Sequence, residues 1–176
     1  MSFINFVVAL VVFAFLLIKR GIVIVPQGYE YTVENFGRFS TILKPGLHFL
    51  IPIVERISRK VNMMEQSLDI PQQEAQTKDG KTVWLGGVIT FQVTDSYQVT
   101  YKTNDLSNDI LKYITKRFKV IIGDINANDI LSKKRVINEK LFRYCSYDMV
   151  PWGVKVIQIE VTDIVLDPLD KKHQNK

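Results

Sequence analysis

Residues 3–18 read FINFVVALVVFAFLLI, sixteen positions of which only Asn5 is polar. As an α-helix this run rises about 24 Å, slightly short of the roughly 30 Å hydrocarbon core of a bilayer. Met1 and Ser2 before it, with Lys19 and Arg20 snorkelling outward after it, bring the length close to a span. Extending the helix through Gly21-Ile22-Val23-Ile24-Val25 would draw both cations into the membrane, which is costly, so the helix is predicted to stop near Lys19. A buried core helix keeps a polar face, and this one has none. A cleavable signal peptide carries its positive charges before the apolar run and a small-residue site after it. Here the cations follow the run and no Ala-x-Ala site is present. Residues 1–20 are therefore predicted to be a membrane anchor. Its only flanking cations lie on the C-terminal side, so the positive-inside rule places the body of a single-pass protein in the cytoplasm.

The remainder predicts an α+β body over residues 21–168, followed by a short polar tail, residues 169–176. Val25-Pro26-Gln27-Gly28 ends any helix and opens a series of strands. Tyr29 to Phe36 alternates apolar and polar side chains, and Leu47 to Ile51 forms another short strand between turn signals at Lys44-Pro45-Gly46 and Pro52. Arg59 to Ile70 reads as extended, with Met63 and Met64 as core filler. Asp79-Gly80 suits a tight turn leading into Thr82 to Thr94, where Val83, Leu85, Ile89, Phe91 and Val93 share one face. Gly86-Gly87 has no following helix or third glycine, so it reads as a bulge or close approach and not a phosphate loop. Leu106, Ile110, Ile114, Phe118 and Ile122 make the stripe of a first helix ending at Gly123. Asn126 or Asn128 is placed to cap a second helix that turns Ile130, Ile137, Leu141 and Tyr144 inward. Pro151-Trp152-Gly153 precedes a last β-branched strand, Val154 to Leu166.

Catalytic chemistry finds few parts. One cysteine, Cys145, and two histidines, His48 and His173, cannot make a disulfide framework or a His/Cys zinc site. Neither histidine accompanies a strained nucleophile elbow, His48 reads as structural within an apolar strand, and Cys145 reads as a semi-buried thiol. No catalytic, cofactor-binding or metal residue is assigned, and neither a small-molecule substrate nor nucleic acid is expected. A tethered hydrolase would require activity through His48 or Cys145. The densest charge lies between Lys112 and Arg143: nine Lys and Arg against Asp124, Asp129 and Glu139. This stretch is either the solvated outer face of two amphipathic helices or a surface for phosphates, anionic lipid or an acidic partner.

Several ordered motifs carry a resemblance. Val25-Pro26-Gln27-Gly28-Tyr29, Val33-Glu34-Asn35-Phe36-Gly37-Arg38-Phe39, Leu43-Lys44-Pro45-Gly46-Leu47 and Arg59-Lys60-Val61-Asn62-Met63-Met64-Glu65-Gln66 resemble the SPFH (Band 7) superfamily, in particular its bacterial slipin/paraslipin branch. Leu68-Asp69-Ile70-Pro71, Lys78-Asp79, Phe91-Gln92-Val93-Thr94-Asp95 and Pro151-Trp152-Gly153-Val154-Lys155-Val156 continue it to about Pro168. The resemblance implies one SPFH domain behind a transmembrane helix, and a non-catalytic scaffold that self-associates, organises membrane microdomains or regulates membrane proteins. Implied partners are membrane lipid, further copies or SPFH relatives, NfeD-type membrane proteins and membrane proteases; no cofactor is implied.

The chain departs from that pattern in two places. The family's long Ala/Glu/Lys-rich coiled-coil helix does not follow Asp163-Ile164, and residues 169–176 hold no apolar heptad. This suggests an alternative role as a capping subunit that joins longer relatives. Residues 78–88 and 106–135 also diverge, with Lys119 and Lys134 where the pattern has arginine and Arg135 where it has an acid.

Overall fold

The computed structural model describes residues 2–166, so the polar tail lies outside the described residues. The chain is mixed α+β, and it divides into two compact units after Met64.

The first unit opens with helix α1 (Ser2–Gly21), followed at once by β1 (Ile22–Val25). The helix runs past the predicted end at Lys19 because Lys19 and Arg20 are exposed in its last turn, where cations suit the helix dipole, and Gly21 closes it. Among the described residues no helix is long and apolar enough to cross a membrane. The side chains at residues 2, 4 and 13–18, within the predicted anchor, lie outside the described ones.

Strands β2 (Tyr29–Asn35), β3 (Arg38–Leu43) and β5 (Glu55–Asn62) form an antiparallel sheet with β2 in the middle, while β1 pairs with β4 (Gly46–Phe49). Val25, Tyr31, Val33, Leu43 and Leu50 make the core of this unit. Two polar residues of the central strand are buried, and each is satisfied. Thr32 sits where β2 bulges against β5, and its hydroxyl takes over the ladder by donating to the Arg59 carbonyl (3.3 Å) and accepting from the Arg59 amide (3.2 Å). Glu34 receives Arg56 Nη2 at 2.8 Å and Ser58 Oγ at 2.7 Å, which offsets the cost of burying a carboxylate. The predicted Arg59–Ile70 strand is broken at Met63 and Met64. Met64 is not core filler: it is 48% exposed and lies over Gly28, where a Cβ would meet its Cγ at 2.7 Å.

The second unit layers helices on an antiparallel sheet of β6 (Glu65–Gln76), β7 (Thr82–Val93) and β8 (Val154–Leu166), with β7 central. Helix α3 (Leu106–Gly123) packs on β6 and α5 (Lys134–Asp148) on β8. The predicted face of β7 is buried from Val83 to Val93, and Ile110, Ile114, Phe118 and Ile122 are buried along α3. The ladder shifts between Gly86 and Gly87, and a Cβ at Gly87 would lie 2.3 Å from the Glu160 carbonyl oxygen, so this pair is both bulge and close approach.

Three details correct the sequence reading. Tyr144 is 41% exposed; the stripe of α5 continues from Ile137 and Leu141 at spacing four, which buries Cys145 instead. Asn126 precedes α4 (Ala127–Ile130) without a side-chain cap bond, and Asp79 from the β6–β7 turn accepts from the Ala127 amide at 3.0 Å. A further helix, α2 (Ser96–Lys102), is capped by Asp95, which accepts from the Gln98 amide at 3.0 Å. Gly153, at φ +76°, ends a 3₁₀ turn over Val150–Trp152 and accepts from the Thr94 amide at 2.8 Å.

Candidate membrane-facing surface

The β1–β4 ribbon follows α1 without a linker. Gly21 accepts a hydrogen bond from the Leu50 amide at 2.8 Å, and a Cβ at Gly21 would meet the Leu50 carbonyl oxygen at 2.5 Å and the Phe49 ring at 2.7 Å. The register pairs Ile22 with Phe49, Val23 with His48, Ile24 with Leu47 and Val25 with Gly46. Alternation sends Val23 and Val25 to the core, so the opposite face carries Ile22, Ile24, Leu47 and Phe49. In a one-sided ribbon those outward positions are normally polar. Here all four are large and apolar, with exposures from 51% at Ile22 to 73% at Leu47. Left in water, they forgo on the order of 5 kcal/mol of burial.

Two nearby turns add to the exposed apolar surface of this unit. Phe36 and Ile53 both adopt positive φ, +48° and +81°, which for a β-branched isoleucine is strained by about 1–3 kcal/mol. Their side chains are 78% and 87% exposed, and the Phe36 amide donates to the Val54 carbonyl at 3.2 Å, holding the two turns together. At Phe36 the positive φ, shared with Gly37 at +82°, is what the two-residue turn of the β2–β3 hairpin requires; it is the exposure of the two apolar side chains that marks an interaction surface. Sequence reasoning weighs residues 22–25 only as a rejected extension of the anchor helix and reads residues 47–51 as a short strand. The signal that could have found the surface is the absence of polar side chains at either parity of Ile22-Val23-Ile24-Val25.

The residues weighed for chemistry are held in structural roles. His48 Nε2 donates to the Lys44 carbonyl oxygen at 2.7 Å, within the first unit. Cys145, in the second, is fully buried, and burial pushes its thiol up to about 12, so it is deeper and less reactive than a semi-buried thiol. Among the described residues no three His, Cys, Asp or Glu side chains gather as metal ligands.

The basic helix pair resolves into two populations. Arg117 staples α3 to α5: it pairs with Asp148 at 2.5 Å and lies between the rings of Tyr113 and Tyr144, 5.0 and 4.9 Å from their centroids. Tyr113 donates its hydroxyl to Asp148 and accepts from Arg117 Nε at 2.6 Å. Burial and the neighbouring carboxylate raise the Tyr113 phenol to about 12, while the bonds from Tyr113 and Arg117 hold Asp148 below the usual carboxylate range. Lys133 pairs with Asp129 and Arg135 with Glu139, each at 2.9 Å, so Arg135 is neutralised within its own helix turn. Lys112, Lys116, Lys119, Lys134, Lys140 and Arg143 form the second population, without an ion-pair partner among the described residues and exposed except for the half-buried Lys134.

The site is thus an apolar ribbon that directly follows the end of α1. Residues 23–173 match the SPFH domain / Band 7 family, and the chain belongs to that family. Similar proteins include stomatin-like protein stl-1 of Caenorhabditis elegans, 31% identical over 140 residues, covering 80% of this chain and 43% of that protein. The mitochondrial stomatin-like protein 2 of Homo sapiens is 26% identical over 151 residues, covering 86% of this chain and 42% of the relative. An uncharacterized protein of Methanocaldococcus jannaschii is 31% identical over 153 residues, 87% of this chain and 76% of its own. The chain thus spans about two fifths of the stomatin-like relatives.

Proposed function

We propose that this chain is a non-catalytic scaffold subunit held on a membrane, with α1 as a single-pass anchor and the β1–β4 ribbon seated in the interfacial layer of the bilayer. The carrying observation is the face of Ile22, Ile24, Leu47 and Phe49, apolar and exposed directly beside the end of α1. Lys19 and Arg20, exposed at that end, suit the phosphate level of a cytoplasmic leaflet, consistent with an inner-membrane protein whose body is cytoplasmic. The relatives carrying the stomatin-like name support membrane scaffolding as the general role. The order of the motifs supports the slipin branch in particular. In this reading the working partners are lipid, further copies or SPFH relatives, and an NfeD-type membrane protein or a membrane protease whose access or grouping the scaffold controls.

The test is depth-dependent fluorescence quenching of the full chain reconstituted in vesicles. Phe49→Trp is introduced after Trp84→Phe and Trp152→Phe remove the native fluorophores. Lipids brominated near the headgroup should quench the new indole strongly and shift its emission to the blue. Emission unchanged by brominated lipid, at the wavelength of an indole in water, would overturn the proposal.

A further inference from the structure

The sheet of the second unit ends at β6, whose outer edge has no strand partner among the described residues. Glu74, Ala75 and Gln76 of that strand line a cleft of about 420 Å³ together with Lys119 of α3. Successive side chains of a strand point to opposite faces, so a cleft that touches three in a row lies along the strand's edge. Lys119 also borders a second cleft, about 530 Å³, between Pro71 and Gln73 on the strand and Leu111, Lys112 and Lys116 on the helix. The helix follows the edge to its end, where a Cβ on Gly123 would lie 3.9 Å from the Gln76 carbonyl oxygen. Strand and helix thus wall one groove. Pro71 has no amide to offer and the ladder shifts between Ile70 and Gln73, so the edge able to take another strand is residues 73–76, about 13 Å long.

The charge in this groove is one-sided. Lys112, Lys116 and Lys119 stand three and four residues apart on α3, exposed and without an ion-pair partner among the described residues. Like charges at those spacings repel one another along a helix. The two nearest acids do not answer them. Glu74 alternates with the buried Ala75, so it lies on the outer face of the sheet, and Asp109 borders a separate cleft with Trp152. Gln73 shares the parity of Ala75 and so lies on the side of the lysines.

We infer that this groove binds a short acidic segment of a partner protein, laid as an added strand along residues 73–76 with its carboxylates against the α3 lysines. The edge supplies main-chain hydrogen bonds, and the lysines select the side chains. Alternate side chains of a strand recur about every 7 Å, while Lys112 to Lys116 rises about 6 Å along the helix, so acids at every second position meet successive lysines. The intervening positions fall beside Glu74 on the outer face, where a further acid would be repelled. The segment recognised therefore alternates acidic with neutral residues. This inference rests on the scaffold reading, for which it names the chemistry of a partner.

The test is fluorescence anisotropy of a labelled peptide, Glu-Thr-Glu-Thr-Glu with blocked ends, against the full chain in non-ionic detergent. It should bind about tenfold more tightly than Gln-Thr-Gln-Thr-Gln. Lys112→Gln/Lys116→Gln/Lys119→Gln should remove that difference, and Lys112→Arg/Lys116→Arg/Lys119→Arg should keep it, with unchanged circular dichroism showing that both variants fold. Of two further peptides, N-methylated at the Glu or at the Thr amides, one should lose about tenfold and the other bind as before, because only alternate amides of an added strand reach the edge. Amide exchange within residues 73–76 should slow on binding, while that of residues 65–70 should not. Equal binding of the acidic and neutral peptides, equal effects of the two methylations, or unchanged exchange at residues 73–76 would overturn the inference. A chain whose α3 lysines respond to phosphatidylglycerol micelles and not to the peptide would also overturn it, assigning those lysines to lipid. No bilayer enters the peptide assay. Peptide binding absent while Phe49→Trp quenching persists removes the groove alone; quenching lost while the peptide binds removes the membrane-seating reading alone.

Discussion

Individual residues carry most of the sharp commitments in this chain. At Gly87 a methyl group would press on the backbone of β8, so Gly87→Ala should cost about 2–4 kcal/mol in urea unfolding, whereas a surface substitution such as Gln158→Ala should stay within about 0.5 kcal/mol. Tyr113 adds a pH signature. Its phenol is raised above the unfolded value, so the stability it confers is fully present below about pH 10 and is lost as pH rises toward about 12. Thermal unfolding across that window should show a loss in the wild type that Tyr113→Phe lacks. Asp148 has the opposite sign: its pKa is lowered, so its contribution holds above the ordinary carboxylate range and fades in acid. Cys145 should resist a thiol reagent at neutral pH until the protein unfolds. At this scale the sequence was legible where spacing decides, as with Gly86-Gly87 or the stripe of α3. It was opaque where a side chain answers a distant partner. Nothing local says that Arg117 faces Asp148 thirty-one residues on, or that Asp79 reaches Ala127 forty-eight residues on.

At the scale of elements, β7, α3 and β8 are read from the sequence nearly to the residue, because each has a long, uniform period backed by burial. Short elements escaped. Helix α2 spans seven residues, too few for a period, and β1 is hidden by the hydrophobic run before it. The candidate surface was missed for the same reason: an all-apolar strand of four residues looks like interior until its pairing shows which face is outward. The Asp79 contact makes a prediction here. Asp79→Ala removes the acceptor for the first amide of α4, so it should raise hydrogen exchange at Ala127 more than at amides of α3. Removing the Phe118 ring, fully buried between α3 and the sheet, should cost about 3–5 kcal/mol and weaken the second unit as a whole.

For the whole molecule, the family and the α+β class were both legible, since many ordered motifs and strong periods point the same way. The division after Met64 was not, because Met63-Met64-Glu65 continues an extended pattern and carries no linker composition. In the proposed function it is the first unit, with Ile22, Ile24, Leu47 and Phe49 exposed, that offers apolar surface to lipid. The most direct measurement is the environment of the ribbon by spin labelling of the full chain in vesicles, with Cys145→Ser removing the native thiol. A nitroxide at Leu47→Cys should collide readily with oxygen and poorly with a water-soluble nickel complex, while one at the exposed Ser40→Cys should do the reverse or show a smaller ratio. Equal access of the nickel complex to both positions would contradict the membrane-facing assignment.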